Sequence, residues 1–330
     1  MQCISPIKAG FDRSGDITYS NKKMDRELAT FAFPCRKCLA CRLNTAREKA
    51  IRCIHEAKIH ENNIFLTLTY NNDYIADGRL NYPHFQLFIK RLRELEMRPY
   101  VKKAQRASNS RKKRYLKYVS KKLAISYMVT GEYGDKTKRP HWHAIIFNYR
   151  PTDAKHKYTS HTDEEVFSSD FLQTLWGKGN IEFGSVTMDS AGYVARYAAK
   201  KLAHGKDQNH DYHPIHKTSS KHAIGKRWLE RYYTDVFNKG YIVLPNGEKA
   251  GIPRYYTDWY KKHNFNDYLK YLSTLKAESS ELAEQKEKQN TFDYLQRCED
   301  ATGGIPLTNK QVSMTILKQK FKTLQEKLKL

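Results

Sequence analysis

Two hydrophobic periods take turns along the chain, and the switches between them mark out its elements. From Leu39 to His60 apolar positions recur at helical spacing and predict an amphipathic helix. Phe65–Tyr70 (FLTLTY) instead alternates Leu with Thr, the period of a strand with one buried face. Tyr82–Leu95 returns to the helical period through Phe85, Phe88, Ile89 and Leu92. Two strand candidates follow, Ile125–Glu132 and His141–Asn148, joined by the basic turn GDKTKRP. A helix is predicted over Glu165–Trp176, a strand over Ile181–Met188 and a second helix over Ala191–Ala203. The order strand, helix, strand, strand, helix, strand, helix predicts an α+β fold. Its form is a ferredoxin-like or RRM-like antiparallel sheet with helices packed on it.

Around this core, residues 1–63 form a Cys-rich segment, 64–203 the core itself, 204–262 a basic extension rich in Tyr and His, and 263–330 a helical tail. Leu317, Phe321, Leu324 and Leu328 place one apolar stripe on the last helix, which is expected to dock on the domain. Within the core, the insert Val101–Lys122 holds ten Lys/Arg and no acid, with Tyr115 and Tyr118 among them.

Charge then changes the picture. Lys and Arg number 59 against 35 Asp and Glu, a formal net charge of +24, which points to a polyanionic partner and above all to nucleic acid. Hydrophobic residues at 39% and aromatics at 12% exclude wholesale disorder. No run approaches the roughly 18 apolar residues of a membrane span, so no membrane partner is expected. The N-terminus MQCISPIKAG lacks the layout of a signal peptide, and the expected compartment is a cytoplasm, or a nucleus if the host has one. Each Gly-Lys pair, at Gly177, Gly205 and Gly225, is followed by Gly, Asp or Arg rather than Ser or Thr, so no phosphate-cradling Walker loop exists. The chain is not a helicase.

The chemistry concentrates in PHWHAIIF. In a strand, His141 and His143 emerge on one face and Trp142 on the other, and two imidazoles at that spacing can share a metal ion. Glu132 ends the preceding strand, where a hairpin brings it beside His141 as a third ligand, leaving coordination positions open for water and a phosphate oxygen. In AGYVARYAAKKL, Tyr193 and Tyr197 lie four apart on a helix, with Lys200 and Lys201 one turn on. A phenol near a divalent metal and an ammonium group can attack phosphorus as its oxyanion.

These residues resemble the three motifs of the HUH endonucleases of the rolling-circle replication class: FLTLTY, then GEYG followed six residues later by HWH, then YVARYAAKK. The resemblance is closer to the replication initiators of microviruses of the gokushovirus type. It rests on the opening MQC, on PCRKCLACR followed by IRCIHEA, and on NNIFLTLTY followed by HFQLFIKRLR, over roughly residues 1–262. Two departures are the long basic insert and SSKHAIGKRW, where the family usually shows a Pro-Gly-Ile-Gly run.

The resemblance implies a metal-dependent nickase and strand transferase. A tyrosine attacks origin DNA, single-stranded or replicative-form, to give a 5′-phosphotyrosyl enzyme and a 3′-OH that primes a host polymerase. Mg2+ or Mn2+ is the implied cofactor and host replication proteins (helicase, polymerase) the implied partners, in a bacterial host's cytoplasm. Thr67 and Thr69 are expected to support the sheet and the DNA backbone. Two other readings share these residues. A transposase or plasmid relaxase uses the same metal and tyrosine. A non-catalytic RRM-like module predicts aromatics on the central strands, where this sequence has histidines.

Cys35, Cys38 and Cys41, with Cys3 as a fourth, are candidate ligands of a structural zinc; the three-cysteine spacing also occurs in iron–sulfur proteins. Cys53 and Cys298 have no partner pattern. His204, His210, His213 and His216 lack a ligand spacing and are expected in a solvated loop. The insert and the segments Lys226–Tyr233 and Arg254–Tyr260 combine cations with aromatics, the mixture that grips phosphates and stacks on single-strand bases.

Overall fold

The computed structural model describes residues 3, 5–25, 27, 30–75, 78–134, 138–160, 163–200, 215–219, 223–300 and 308–327; the side chains of 196–200, 298–300, 309–310 and 324–327 lie outside this description. The chain divides into two compact units, Ala46–Tyr233 and the pair of segments Met1–Thr45 and Thr234–Leu330.

The chain opens with β1 (Ile7–Phe11), β2 (Ile17–Thr18) and β3 (Phe31–Phe33), a small antiparallel sheet in the order β2-β1-β3. Helix α1 (Leu39–Lys58) follows. The larger unit then runs β4 (Asn63–Thr69), α2 (Tyr82–Lys103), α3 (Asn109–Lys122), β5 (Ser126–Tyr133), β6 (Pro140–Phe147), β7 (Lys155–Thr159), β8 (Glu165–Ser168), α4 (Asp170–Trp176), β9 (Ile181–Gly184), α5 (Met188–Lys200) and β10 (Ile215–Thr218). After α6 (Lys226–Lys239) come the two-residue strands β11 (Ile242–Val243) and β12 (Lys249–Ala250), then α7 (Arg254–His263), α8 (Phe265–Tyr271), α9 (Ala277–Asp300) and α10 (Asn309–Lys327). Among the described residues no helix is long and apolar enough to cross a membrane.

The larger unit is built on a seven-stranded antiparallel sheet in the order β10-β5-β6-β4-β9-β8-β7. The Leu/Thr alternation of β4 sends Ile64, Leu66 and Leu68 to one face, where each is fully buried. They meet Phe85, Phe88, Ile89 and Leu92 of α2, Leu172 and Trp176 of α4, and Trp142 of β6. Trp142 is fully buried, and its indole N–H donates to the Tyr70 hydroxyl at 2.8 Å, so its polar atom costs little there. Gly131 stands opposite Trp142 in the register, and a Cβ there would lie 2.5 Å from the indole ring. On the reverse face, small residues of α1 (Ala46, Ala50) and α5 (Ala191, Ala195) let both helices close on Met128, Ile145 and Phe147.

Several expectations need correcting. The helix foreseen over Glu165–Trp176 begins only at Asp170; Glu165–Ser168 is strand β8. Ser169 separates them as the helix cap, its hydroxyl accepting the Leu172 N–H at 3.1 Å and donating to Asp153. The strand from Ile181 ends at Gly184, not Met188, and α5 starts at Met188 rather than Ala191. The insert 101–122 is the end of α2 followed by α3. Where described, the extension 204–262 holds β10, α6, β11, β12 and α7. His216, foreseen in a solvated loop, sits on β10 opposite Thr130; His204, His210 and His213 lie outside the described residues. In the tail, Leu317 and Phe321 are half-buried on α10, while the Leu324 side chain and Leu328 lie outside the description.

Candidate metal and tyrosine site

The polar side of the β4/β6/β5 register builds the site. Across the hairpin Glu132 faces His141 and Thr130 faces His143, while on the other flank Thr67 faces His143. Because neighbouring strands keep the same alternation, Glu132, His141, His143 and Thr67 share one face. The ligand atoms of Glu132, His141 and His143 all lie within 4.8 Å of one another. Glu132 Oε1 is 2.9 Å from His143 Nε2 and 3.4 Å from His141 Nε2. Side-chain exposure is 6% for Glu132, 12% for His143 and 21% for His141.

The hydrogen bonds set how each ring is presented. His141 Nδ1 lies 3.1 Å from the Arg139 carbonyl, a contact that leaves Nε2 facing Glu132. His143 Nδ1 meets the Thr67 hydroxyl at 3.0 Å, which fixes the ring and turns its Nε2 toward Glu132. Phe65 stacks parallel to the same ring, centroids 5.7 Å apart. Burial alone would raise the Glu132 carboxyl, but hydrogen bonds and charge from the two imidazoles outweigh it and hold the group well below the usual carboxylate range. Burial pushes the His143 imidazole down against the pull of Glu132. The Glu132 carboxylate and one nitrogen of each imidazole converge on one point. Such a donor set fits a divalent cation with coordination positions to spare.

Tyr193 of α5 reaches the same point. Its hydroxyl is 3.2 Å from Glu132 Oε1 and 3.4 Å from His143 Nε2, and its ring stands edge-on to His143 at 5.0 Å. Val194, fully buried against the sheet, anchors the helix beside it. Tyr197 is one turn further along α5, but its side chain and that of Lys200 lie outside the description, as does Lys201 entirely.

Cys3, Cys35, Cys38 and Cys41 also come together, their sulfurs all within 4.8 Å of one another. Cys53 is separate and buried, its thiol 3.7 Å from the Met128 sulfur. Sequence reasoning missed the direct hold of Thr67 on His143 and the Arg139 carbonyl behind His141. The signal for Thr67 was present, since FLTLTY puts it on the face opposite Leu66 and Leu68.

The comparisons with known proteins agree with one another. A family model for replication-associated proteins of the ORF2 kind matches residues 63–202, the stretch that contains the whole Glu/His/His and tyrosine site. The chain is 55% identical over its full length to the full-length replication-associated protein VP4 of Bdellovibrio phage phiMH2K. It is 32% identical to replication-associated protein ORF4 of Chlamydia phage 1, over 71% of this chain and 54% of that one. It is 26% identical to replication-associated protein ORF2 of Spiroplasma virus 4, over 86% and 88% of the two chains. The chain belongs to the replication-associated proteins of the microviruses. No solved structure matches it.

Proposed function

We propose that this chain initiates replication of a single-stranded DNA phage by nicking the origin strand through a tyrosine, as an HUH endonuclease. The observation that carries the reading is a phenol within 3.4 Å of a Glu/His/His set suited to a divalent cation. The strand order β5-β6-β4-β9 supports a ferredoxin-like core: numbered along the chain, these are its second, third, first and fourth strands, all antiparallel. The names of the similar phage proteins favour replication over transposition.

His141, His143 and Glu132 would hold Mg2+ or Mn2+, which when bound supplies positive charge against the scissile phosphate. The Tyr193 hydroxyl, within hydrogen-bond reach of this set, attacks phosphorus and gives up its proton to water. As the phosphorus–tyrosine bond forms, the bond to the 3′ oxygen breaks, and that oxygen leaves with a proton as a 3′-OH. The 5′-phosphotyrosine conserves the energy of the phosphodiester, so a later 3′-OH can attack it, release the phenol and reseal the strand. Tyr197 serves the alternate cut, and Lys200 and Lys201 steady charge on the phosphate. The cationic segments Val101–Lys122, Lys226–Tyr233 and Arg254–Tyr260 bind single-stranded and replicative-form origin DNA by neutralising phosphates. A host helicase then opens the duplex and a host polymerase extends the free 3′ end, in the bacterial cytoplasm.

The test is nicking of a labelled single-stranded origin oligonucleotide with Mg2+ or Mn2+. Replacing His141 and His143 together by Ala should abolish cleavage while leaving much of the salt-sensitive binding. Full nicking by that double variant sinks the metal assignment.

A further inference from the structure

The N-terminal sheet lacks what normally holds a sheet together. Among the described residues before α1, only Ala9 and Gly10 are buried, while Ile7, Ile17, Tyr19 and Phe33 are 38–62% exposed. Its aromatic rings pack on one another, Phe11 with Phe31 at 5.4 Å and Phe31 with Phe33 at 5.2 Å. Strands of two to five residues with so little buried apolar surface do not hold their shape unaided.

At the edge of this segment stand the four thiols. The Cys3 and Cys38 sulfurs are 3.9 Å apart, and none of the four is farther than 4.8 Å from another. Sulfurs about 2.3 Å from a tetrahedral zinc are ~3.8 Å from one another. Cysteines on the corners of a four-iron cluster stand roughly 6 Å apart or more, and a disulfide requires about 2.05 Å. The observed spacing suits one ion. Backbone amides are also aimed at the sulfurs: the Cys35 N–H donates to Cys3 Sγ at 3.2 Å and the Cys38 N–H to Cys35 Sγ at 3.3 Å, as suits thiolates. Between them Arg36 takes a left-handed backbone (φ 59°), a conformation that a residue with a side chain keeps only where its surroundings enforce it.

We propose that Cys3, Cys35, Cys38 and Cys41 bind a single zinc ion in a closed tetrathiolate site, and that this ion takes the place of a hydrophobic core for the N-terminal sheet. It fastens Cys3 to a cysteine 32 residues away and so ties together the two ends of the segment containing β1, β2 and β3. Four protein ligands leave no position for water or substrate, so the ion is structural. Four thiolates in a tetrahedral set suit zinc, which needs no redox partner and has no geometric preference of its own to satisfy.

The full-length protein, purified without chelator, should contain about one zinc per chain. Cobalt exchanged into it should show the intense visible bands and thiolate charge transfer of a tetrathiolate site. Glu132→Gln should keep that zinc, and Cys38→Ser should lose at least nine-tenths of it together with several degrees of thermal midpoint. Should Cys38→Ser fail to fold, titrating the wild type with an organomercurial decides the matter, since zinc should leave in step with four thiols. Iron in place of zinc, with or without labile sulfide, zinc retained in a folded Cys38→Ser, or a metal-free chain with freely reactive thiols and an unchanged midpoint would each overturn the proposal.

Discussion

The two faces of the seven-stranded sheet come from the same strands, one residue out of step, and they do opposite work. On one, Ile64, Leu66, Leu68, Trp142, Ala144 and Ile146 are fully buried and meet α2 and α4 in a dry contact. On the other, Thr67, His141, His143 and Glu132 alternate with those same residues and turn three ligand atoms toward one point. A one-residue slip in register would exchange the two sets, sending imidazoles into the core and Trp142 into the site. The dry face therefore fixes the geometry of the polar one. Precision in the site is inherited from packing, and Thr67, the Arg139 carbonyl and Phe65 add direct holds on the histidines.

The comparison breaks most readily on the dry side. Trp142→Ala removes a fully buried indole together with its hydrogen bond to the Tyr70 hydroxyl, and should cost about 3–5 kcal/mol in urea denaturation. If that variant keeps wild-type stability and nicking, packing does not set the register. A smaller effect is expected from Thr67→Val, which keeps the shape of the strand and removes the hydroxyl at His143 Nδ1. Metal affinity or nicking should fall about 10- to 100-fold with stability nearly unchanged; an unaltered metal dependence would show that His143 is oriented by the strand alone.

The smallest effect concerns His55 on α1, buried and stacked on Trp228 with centroids 3.5 Å apart. Burial, with help from Lys58, pushes its imidazole down to about 3, below its ordinary value of 6.5. Between those values the unfolded chain takes up a proton that the folded chain refuses. Its contribution is thus fully present above about pH 6.5 and is lost as pH falls toward 3. Between pH 7 and 5.5 the wild type should lose about 1 kcal/mol more than His55→Phe. Equal acid sensitivity in the two proteins would show that His55 titrates normally.

How much of this could be read from the chain depended on period. The Leu/Thr alternation of FLTLTY and the H-W-H of β6 are strong period-two signals with one fully buried face, and residue order alone puts Thr67, His141 and His143 on matching faces. Strand β7 was illegible because all five of its residues are exposed at a sheet edge, leaving no alternation to find. Strand β8 was absorbed into a helix because four residues give too short a window, although Ser169 followed by Asp170 was a readable cap. In α6 and α7 the inward stripes include Phe237, Tyr256 and Tyr260, and tyrosine counts as polar in a hydropathy pattern while burying its ring here. The Cys cluster was readable as a spacing, but the separation of its sulfurs belongs to the fold alone.

The central claim is that the phenol beside the Glu/His/His set is a nucleophile. Its most direct test is to incubate the protein with origin single strand and Mn2+, denature, digest, and map the DNA-bearing peptide by mass spectrometry. The account predicts a phosphotyrosyl bond at Tyr193 or Tyr197, and no adduct at all in the protein with both replaced by Phe. An adduct on any other residue, or nicking by the double Phe variant, would contradict it.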